Sequence, residues 1–365
     1  MKNIFSLLGV AVLIGLTSCN DIDTIKLEEH QGAFILNKGT DKSNVSRYSY
    51  EHKNVSNNYF QSKNNSLEMG SGAHTMAIGK GAEYPKGKAF IVYPNNNKVS
   101  MVNMDMFTSA GHIEYTKPTD VLLAKDNRAY ICATGEGNKG MVYDYDLKAS
   151  KASVSFEVAQ EPLKMIASGK YLYCASKGDG TGAKVIVIDM TTNTKVDTVS
   201  LAHDNPIDMA VDIDRNVWVY CAGENQALVK LVREFKTITL DKGTDKERRA
   251  SDIINHPTNF VLGPKKDNSV NPLTISQDGR FLYYVYGALC KNTVYAENEV
   301  SKTSVVSGNY QSEAFNSVDF DPRTNSIMGL TAGGKLVILR EKDKVWSDES
   351  VHDVGVNPLL TTFNY

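Results

Sequence analysis

One short pattern recurs along the chain and constrains its fold more than any other feature. A loop ending in proline leads into an apolar strand, a turn rich in Asp, Asn, Gly and Arg, and a second strand rich in aromatic and β-branched residues. Four clear copies are KPTDVLLAKDNRAYICATG (117–135), EPLKMIASGKYLYCASKG (161–178), NPIDMAVDIDRNVWVYCAG (205–223) and NPLTISQDGRFLYYVYG (271–287). A fixed internal repeat indicates a repeat architecture, in which each unit is one supersecondary element.

The repeats predict a propeller of seven blades. Second strands are predicted at 33–36, 89–93, 129–133, 171–175, 217–221, 281–286 and 326–330. Apolar third strands follow at 98–104, 140–146, 184–190, 227–233 and 335–341, and a fourth is readable at 194–201. Four short strands per unit with little helical periodicity are typical of β-propeller blades. The predicted fold class is therefore all-β, a single seven-bladed β-propeller whose units bury their faces against one another.

The two ends of the chain complete each other. GAFILN (32–37) has the pattern of the second strand of a blade, but no first strand precedes it. NPLLTTFNY (357–365), at the other end, has the pattern of the first strand of a blade, but no second strand follows it. We expect these segments to pair and close the ring, which removes an exposed sheet edge.

The N-terminus has the composition of an export signal. Lys2 precedes the apolar stretch 4–16, which is too short to span a bilayer comfortably. LTSC (16–19) matches a bacterial lipobox, in which Cys19 becomes the acylated first residue; cleavage by ordinary signal peptidase is the alternative. The predicted organisation is a lipoprotein signal peptide (1–18), a lipidated N-terminus and polar tether (19–31) and the propeller (32–365).

Charge and motifs exclude several function classes. A net charge of −2 gives no overall attraction to nucleic acid. GEGNKG (135–140) satisfies G-x-G-x-x-G but leads into a strand, where phosphate binding needs a helix N-terminus. There is no C-x-x-C, and the seven histidines are scattered, so we expect no zinc site and no cofactor.

Three cysteines occupy the same place in successive second strands. We expect Cys132, Cys174 and Cys221 to be buried thiols, because equivalent points on neighbouring blades are expected to lie beyond the roughly 7 Å limit for a disulfide. Cys290 follows a strand end and gives no prediction.

Residues near the predicted axis mix both signs of charge. The residues that lie two positions after the blade-opening prolines are Asp120, Lys164, Asp208 and Thr274. This set favours a hydrated, partly self-neutralised channel over the carboxylate cage that holds calcium in hydrolytic propellers. No G-x-S-x-G or H-E-x-x-H occurs, so we expect no catalytic residues and a protein that is not an enzyme.

The stretch KVIVIDMTTNTKVDTVSLAHDNPIDMAVDIDRNVWVYCAG (184–223) resembles the YVTN (YncE-like) repeat of surface-layer-type propellers. With the lipobox and AFILNKGTDKSNVSRYSY (33–50), the whole mature chain resembles Bacteroidota surface lipoproteins. The resemblance implies capture of a metal chelate, either a ferric siderophore or a corrinoid (vitamin B12), beside a TonB-dependent outer-membrane transporter. Corrinoid-type members carry Asn-Glu-Gly-Asn where this chain has NKGT (37–40), so a ferric siderophore is favoured.

Ligand contacts are predicted on the loops. In a propeller, loops before first strands and loops between second and third strands gather on one face, around the channel mouth. Rings, amides and a few charges there suit a rigid polar ligand, although each residue alone could equally be a solvated loop residue. The predicted ligand-binding residues are Tyr93, Lys117, Lys177, His203, Glu224, Tyr286 and Phe315, with His74, Asn95, Asn205 and Asn271 on the same loops.

One segment breaks the repeat. Residues 242–270 are predicted to be an inserted loop that opens toward the same face, with Arg248 and Arg249 as ligand contacts. Long loops in compact domains are usually functional or disordered. Arginine forks would suit an anionic chelate such as a ferric catecholate. The alternative is an ordinary solvated loop, because acidic residues offset part of its charge.

The sequence thus predicts an outer-membrane lipoprotein, lipid-anchored at the cell surface, that passes a captured chelate to a transporter. A scaffold that binds protein or glycan at the same face is the first alternative. A propeller hydrolase or lyase with an axial metal is the second.

Overall fold

A computed structural model describes residues 31–235 and 253–365, apart from residues 83, 125, 126, 179 and 181. Within these residues the strands form seven separate antiparallel sheets. The first strands of successive sheets, which begin at residues 75, 120, 162, 206, 273, 317 and 358, contact one another in this order, and the last of them contacts the first. The sheets are therefore blades around one axis, and the predicted seven-bladed propeller is confirmed.

The first four blades are regular. Blade 1 begins with β1 (Gly32–Asn37), β2 (Asn44–Ser49) and β3 (Asn54–Ser56), followed by the helix α1 (Tyr59–Lys63). Blade 2 contains β4 (Thr75–Gly81), β5 (Tyr84–Tyr93), β6 (Lys98–Asn103) and β7 (Thr108–Glu114). Blade 3 contains β8 (Asp120–Ala124), β9 (Arg128–Thr134), β10 (Gly140–Asp146) and β11 (Lys151–Val158). Blade 4 contains β12 (Pro162–Ser168), β13 (Tyr171–Ser176), β14 (Lys184–Asp189) and β15 (Thr194–Ser200).

The later blades are less uniform. Blade 5 contains β16 (Pro206–Val211), β17 (Val217–Cys221), β18 (Asn225–Phe235) and β19 (Ile253–Pro264). Blade 6 has three strands, β20 (Leu273–Ile275), β21 (Phe281–Val285) and β22 (Leu289–Thr293). Blade 7 contains β23 (Ser317–Asp321), β24 (Ser326–Leu330), β25 (Lys335–Lys342) and β26 (Val345–Asp353), and β27 (Pro358–Asn364) returns to blade 1.

Second strands are buried because each lies between its own sheet neighbours and the faces of adjacent blades. Every residue of β13 and β17 is buried, which explains their continuous apolar sequences. The hydrophobic core lies between blades: Cys132 of blade 3 packs in one cluster with Cys174 of blade 4. Cys132, Cys174, Cys221 and Cys290 are buried free thiols.

The ring closes as the chain ends predict. Strand β27 pairs antiparallel with β1, with Ala33 opposite Phe363 and Ile35 opposite Thr361, so the sheet order is β27-β1-β2-β3. All six residues of β1 are buried in the completed blade.

The predicted insertion differs from the structure. Residues 253–264 are β19, the outer strand of blade 5, which pairs with β18 from Asn225 opposite Pro264 to Phe235 opposite Ile253. Phe235 and Ile253 therefore lie at the end of this strand pair opposite to Asn225 and Pro264, and residues 236–252 lie outside the described residues. Arg248 and Arg249 lie outside the described residues. Pro257 obscured this strand in the sequence, yet an outer strand tolerates proline because its free edge needs no N–H donor.

Among the described residues, no helix has the length and apolar character needed to cross a membrane.

Candidate functional site

The loops predicted to gather on one face do so, and a cavity opens among them. This cavity of about 370 Å³, called the funnel here, lies where the first strands meet. Its apolar wall includes Leu163, Ile207, Val270, Leu359 and Leu360, and its polar lining includes Lys38, His74, Asn95, Thr119, Asp120, Lys164 and Asn271.

Each lining residue comes from one of the two predicted loop classes or from the start of a first strand. Lys38 follows β1 and Asn95 follows β5, and both strands are second strands of their blades. His74 directly precedes the first strand β4. The backbone N–H of Lys38 donates to the Asn357 carbonyl at 3.0 Å, which holds this loop against the start of β27.

Four charged residues near the axis form what we call the axial cluster, or floor: Asp120, Lys164, Asp208 and Asp319. Asp120 and Lys164 line the funnel, whereas Asp208 and Asp319 act on Lys164 without lining the cavity. The sequence placed the first three near the axis. The Lys164 Nζ atom lies 4.0 Å from Asp208 Oδ1, and Asp120, Asp208 and Asp319 all act electrostatically on Lys164. The other axial residues were located two positions after a blade-opening proline. Blade 7 opens with Asn316 and Ser317 instead of a proline, so this rule did not identify Asp319.

The axial carboxylates also join neighbouring blades. Each accepts a backbone N–H from the next first strand: Asp120 Oδ2 from Met165 at 2.7 Å, Asp208 Oδ2 from Leu273 at 2.9 Å and Asp319 Oδ2 from Thr361 at 2.9 Å. The Thr274 hydroxyl accepts the Phe320 N–H at 2.9 Å in the same way. This contact fixes the carboxylates in the floor of the funnel and gives them a structural role as well.

Burial shifts the acidity of the cluster. Desolvation raises the pKa of Asp208 to about 7, although Lys164 and two backbone N–H donors oppose the shift. Desolvation likewise raises the pKa of Asp319 to about 6 and raises that of Asp120. For Lys164, desolvation opposes the charged form, but the three carboxylates outweigh it and raise its pKa. The floor thus holds an ammonium group and carboxyl groups that titrate near neutrality.

His74 at the mouth is neutral at pH 7. Desolvation, together with the charges of Lys164 and Lys38, lowers its pKa from 6.5. A neutral imidazole offers one donor and one acceptor to a ligand.

A second cavity of about 260 Å³ adjoins the funnel and is called the annex. The two share His74, Leu163, Ile207 and Val270 as a common wall. The annex adds Asn205, Lys265 and Asp267, and Val270 is 43% exposed between the two. A ligand with polar ends and an apolar middle fits this succession of surfaces.

The residues that the structure describes include no group of three or more His, Cys, Asp or Glu side chains arranged to hold a metal ion. Lys164 instead supplies the cation among the axial carboxylates.

The predicted aromatic contacts lie in the core instead of the funnel. Tyr93, Tyr286 and Phe315 are 2%, 4% and 0% exposed and belong to hydrophobic clusters between blades. Tyr286 donates its hydroxyl to the Pro264 carbonyl at 3.2 Å. Successive side chains of a strand point to opposite faces of the sheet. A shift of one residue at the strand end therefore decides whether an aromatic side chain faces the core or the cavity.

The predicted polar contacts reach the loop face but do not line the funnel. Lys117, Lys177 and Glu224 are exposed and His203 is half-buried. Lys177 forms an ion pair with Glu161 at 3.3 Å. His74, Asn95 and Asn271, from the same loops, do line the funnel.

Comparisons with known proteins show the fold alone. No protein-family model and no curated protein sequence matches the chain. Among solved structures, Kuenenia stuttgartiensis hydrazine synthase is similar with a TM-score of 0.58 and 13% identity, over 78% of this chain and 87% of that chain. A hypothetical selenium-binding protein from Sulfolobus tokodaii is similar with a TM-score of 0.63 and 10% identity, over 92% of this chain and 93% of that chain.

One expectation is corrected by this comparison. The sequence led us to expect a protein that is not an enzyme, but hydrazine synthase is an enzyme with the same fold. A propeller of this kind is compatible with catalysis, so the lack of a familiar catalytic motif does not decide the matter. The site, and not the fold, decides the function.

Proposed function

We propose that the chain is a binding protein whose ligand enters the funnel at the loop face and meets Lys164 at the floor. The observation that carries this proposal is the funnel itself, a concave cavity with apolar walls and a few convergent polar groups. Small-molecule sites usually have this composition. The annex extends the site to a ligand larger than the funnel alone would hold.

The ligand that we propose is anionic. Lys38, Lys164 and Lys265 line the funnel and annex. The lining carboxylates of Asp120 and Asp267 already accept backbone N–H groups, from Met165 and Gly287. Lys38 and Lys265 are exposed and Lys164 is half-buried. Ammonium groups favour carboxylate, catecholate or phosphate oxygens through charge-assisted hydrogen bonds, so Lys164 is the central contact in this proposal.

Within this class we favour a ferric siderophore over a corrinoid. One anionic edge of a chelate fits the funnel, while the rest would lie over Val270 and the annex. A corrinoid would need broad ring contacts, and the candidates for these, Tyr93, Tyr286 and Phe315, are buried in the core.

The cellular part of the proposal rests on the sequence. The lipobox at Cys19, which lies outside the described residues, would anchor the protein to the outer membrane by its acyl chains. The resemblance to surface lipoproteins supports delivery of the chelate to a TonB-dependent transporter. Co-purification of such a transporter with the tagged lipoprotein tests this part; its absence from cross-linked membranes would contradict it.

Calorimetric titration of the purified protein tests ligand binding. The panel contains ferric catecholate and ferric carboxylate siderophores, cyanocobalamin and haem. We expect a ferric siderophore to bind, and Lys164→Met to weaken it at least tenfold, because a charge-assisted hydrogen bond contributes about 1.5–3 kcal/mol and each 1.4 kcal/mol is about tenfold. Lys38→Met, at the rim, should weaken binding less.

Lys177→Met is the matched control, because Lys177 is exposed on the same face outside the funnel. Equal losses in Lys164→Met and Lys177→Met would contradict binding in the funnel. Binding of cyanocobalamin alone would contradict the anionic ligand.

A further inference from the structure

The charges of the funnel floor do not balance. Three carboxyl groups, Asp120, Asp208 and Asp319, surround one ammonium group, Lys164. Asp120 is 4% exposed and Asp208 is 2% exposed, so water cannot stabilise their charges well. Asp319 is half-buried and is partly stabilised by hydrogen bonds from Ser317 and Asn271. An unbalanced buried charge is costly, and protonation is the usual way in which a site removes it.

We propose that the funnel takes up protons together with its anionic ligand, the protons going to the axial carboxylates. This inference rests on the proposed function, because it concerns the same site and the same ligand class. Its physical basis is that Lys164 lines the funnel and also acts on all three carboxyl groups, so the floor and the ligand share its charge.

Lys164 stabilises the ionised carboxylates while the funnel is empty of ligand. Its ammonium lies 4.0 Å from Asp208 and acts on Asp120 and Asp319 as well. An anion bound at Lys164 places a further negative charge beside these groups and competes for the same ammonium. A like charge nearby disfavours the ionised form of a carboxyl group. Anion binding must therefore raise the proton affinity of the floor.

Two of the carboxyl groups titrate in a range where this coupling is measurable. Desolvation raises the pKa of Asp208 to about 7 and that of Asp319 to about 6. Protons arriving with the ligand come from solvent, and each neutralises one carboxylate. The backbone N–H bonds to Leu273 and Thr361 keep both groups in place.

The other ionisable groups around the funnel can be separated from the axial carboxylates. In the free protein the pKa of His74 is lowered by desolvation and by Lys164 and Lys38, so its ring is neutral near pH 7. A bound anion raises this pKa too, and protons taken up by His74 would persist in Asp208→Asn and Asp319→Asn. Burial raises the pKa of the Cys132 thiol, which lies near Asp120, well above 9, so it stays protonated. Lys164 remains charged because its pKa is raised above 10.5.

The sign of the pH dependence follows. Bound anion raises the pKa values of Asp208 and Asp319 above those of the free protein. The affinity for the anion is then highest at pH values below the pKa values of the free protein. It falls as the pH rises through about 6 to 7 and beyond. It levels off once the pH exceeds the pKa values of the ligand-bound protein. The slope is at most about tenfold per pH unit for each proton taken up.

Calorimetry of the mature chain, purified in detergent, tests this. Ferric citrate and the tightest anionic chelate of the panel are titrated from pH 5.5 to 9, in buffers of different ionisation enthalpy. The heat difference between buffers gives the number of protons taken up. We expect net uptake near pH 7.5 and an affinity that falls at least threefold between pH 6.5 and 8.5.

Asp208→Asn keeps the shape of the side chain and removes one titrating group, so it should reduce the proton count and flatten the pH profile. Asp319→Asn provides the same test if Asp208→Asn does not fold. Asp353→Asn is the control, because the Asp353 side chain is exposed and pairs with Lys335. This variant should change neither the number of protons taken up nor the pH profile of the affinity.

The two proposals fail in different ways. Binding without proton uptake, or with an affinity independent of pH, would overturn the proton coupling and leave the anion site intact. Uptake that persists unchanged in both Asp208→Asn and Asp319→Asn would also overturn it. Failure of every anion to bind would overturn the proposed function, and the coupling with it.

Discussion

The Asp319 carboxylate on β23 accepts the backbone N–H of Thr361 on β27 at 2.9 Å. This bond joins the last complete blade to the strand that closes the ring. Asp120 and Asp208 make the same kind of bond between earlier blades. The groups that form the funnel floor therefore also hold the ring together.

Proline at position 361 should open the ring. Thr361→Pro removes the N–H that Asp319 accepts, and the proline ring fixes φ at about −65°, away from the extended value of a strand. A hydrogen bond to a charged group contributes about 1.5–3 kcal/mol, so we expect a clear fall in melting temperature and a broader transition by circular dichroism. Thr361→Ala keeps the N–H and is the control. Identical melting of the two variants would show that this bond does not secure closure.

Stability should fall as the pH rises toward neutrality. The pKa of Asp208 is about 7 in the folded protein, above the ordinary value of 3.8, because burial disfavours the charge. Between these values the folded state binds the extra proton. The stabilisation is complete below pH 3.8 and is lost as the pH rises through about 7, with a slope of at most about 1.4 kcal/mol per pH unit.

Urea unfolding at pH 5 to 8 measures this slope, and Asp208→Asn should reduce it. Asp353→Asn should keep the wild-type slope. A wild-type stability that rises over this range would contradict the pKa shift that we assign to burial.

The buried thiols should be unreactive in the native protein. In a chain beginning at residue 20, the remaining cysteines are Cys132, Cys174, Cys221 and Cys290, all buried. Burial raises the pKa of Cys221 to about 12 and that of Cys290 to about 11, so little thiolate is present. We expect Ellman's reagent to react slowly without denaturant and completely in guanidinium. Rapid reaction in the native state would show that the blades open locally.

The lipobox predicts that Cys19→Ala releases the protein from membranes without changing its fold. Acyl chains on Cys19 are the anchor in this prediction, and the propeller begins after the polar tether. Membrane fractionation measures release, and circular dichroism checks the fold. Ser18→Thr, which changes the lipobox conservatively, is the comparison. Retention of Cys19→Ala in the membrane fraction would locate the anchor elsewhere.

The sequence predicted the fold better than the site because the two depend on different information. Second strands such as β13 and β17 are buried throughout, so their apolar runs identify them without knowledge of their neighbours. The funnel depends on loops far apart in sequence. Lys164 was placed near the axis by its distance from Pro162, whereas Asp319 lacked such a reference.

The misassigned residues show the limit in another way. Phe315 and Asn316 are adjacent, yet Phe315 is fully buried, while the amide of Asn316 contacts the Pro358 carbonyl at 2.5 Å. Which of two neighbours faces the core depends on the exact start of the strand. Composition at a loop end therefore predicts a face of the propeller but not which side chain reaches the ligand.

Closure by β27 also determines when, during synthesis, the ring can be completed. Strand β1 precedes its partner β27 by about 320 residues, from Asn37 to Pro358, so roughly 16 to 64 seconds of synthesis separate the two strands at about 5–20 residues per second. During that interval the apolar β1 lacks one of its two neighbours in the sheet. Ring closure therefore cannot precede the synthesis of β27, and the blades between the two strands are made before either edge of the ring has its partner.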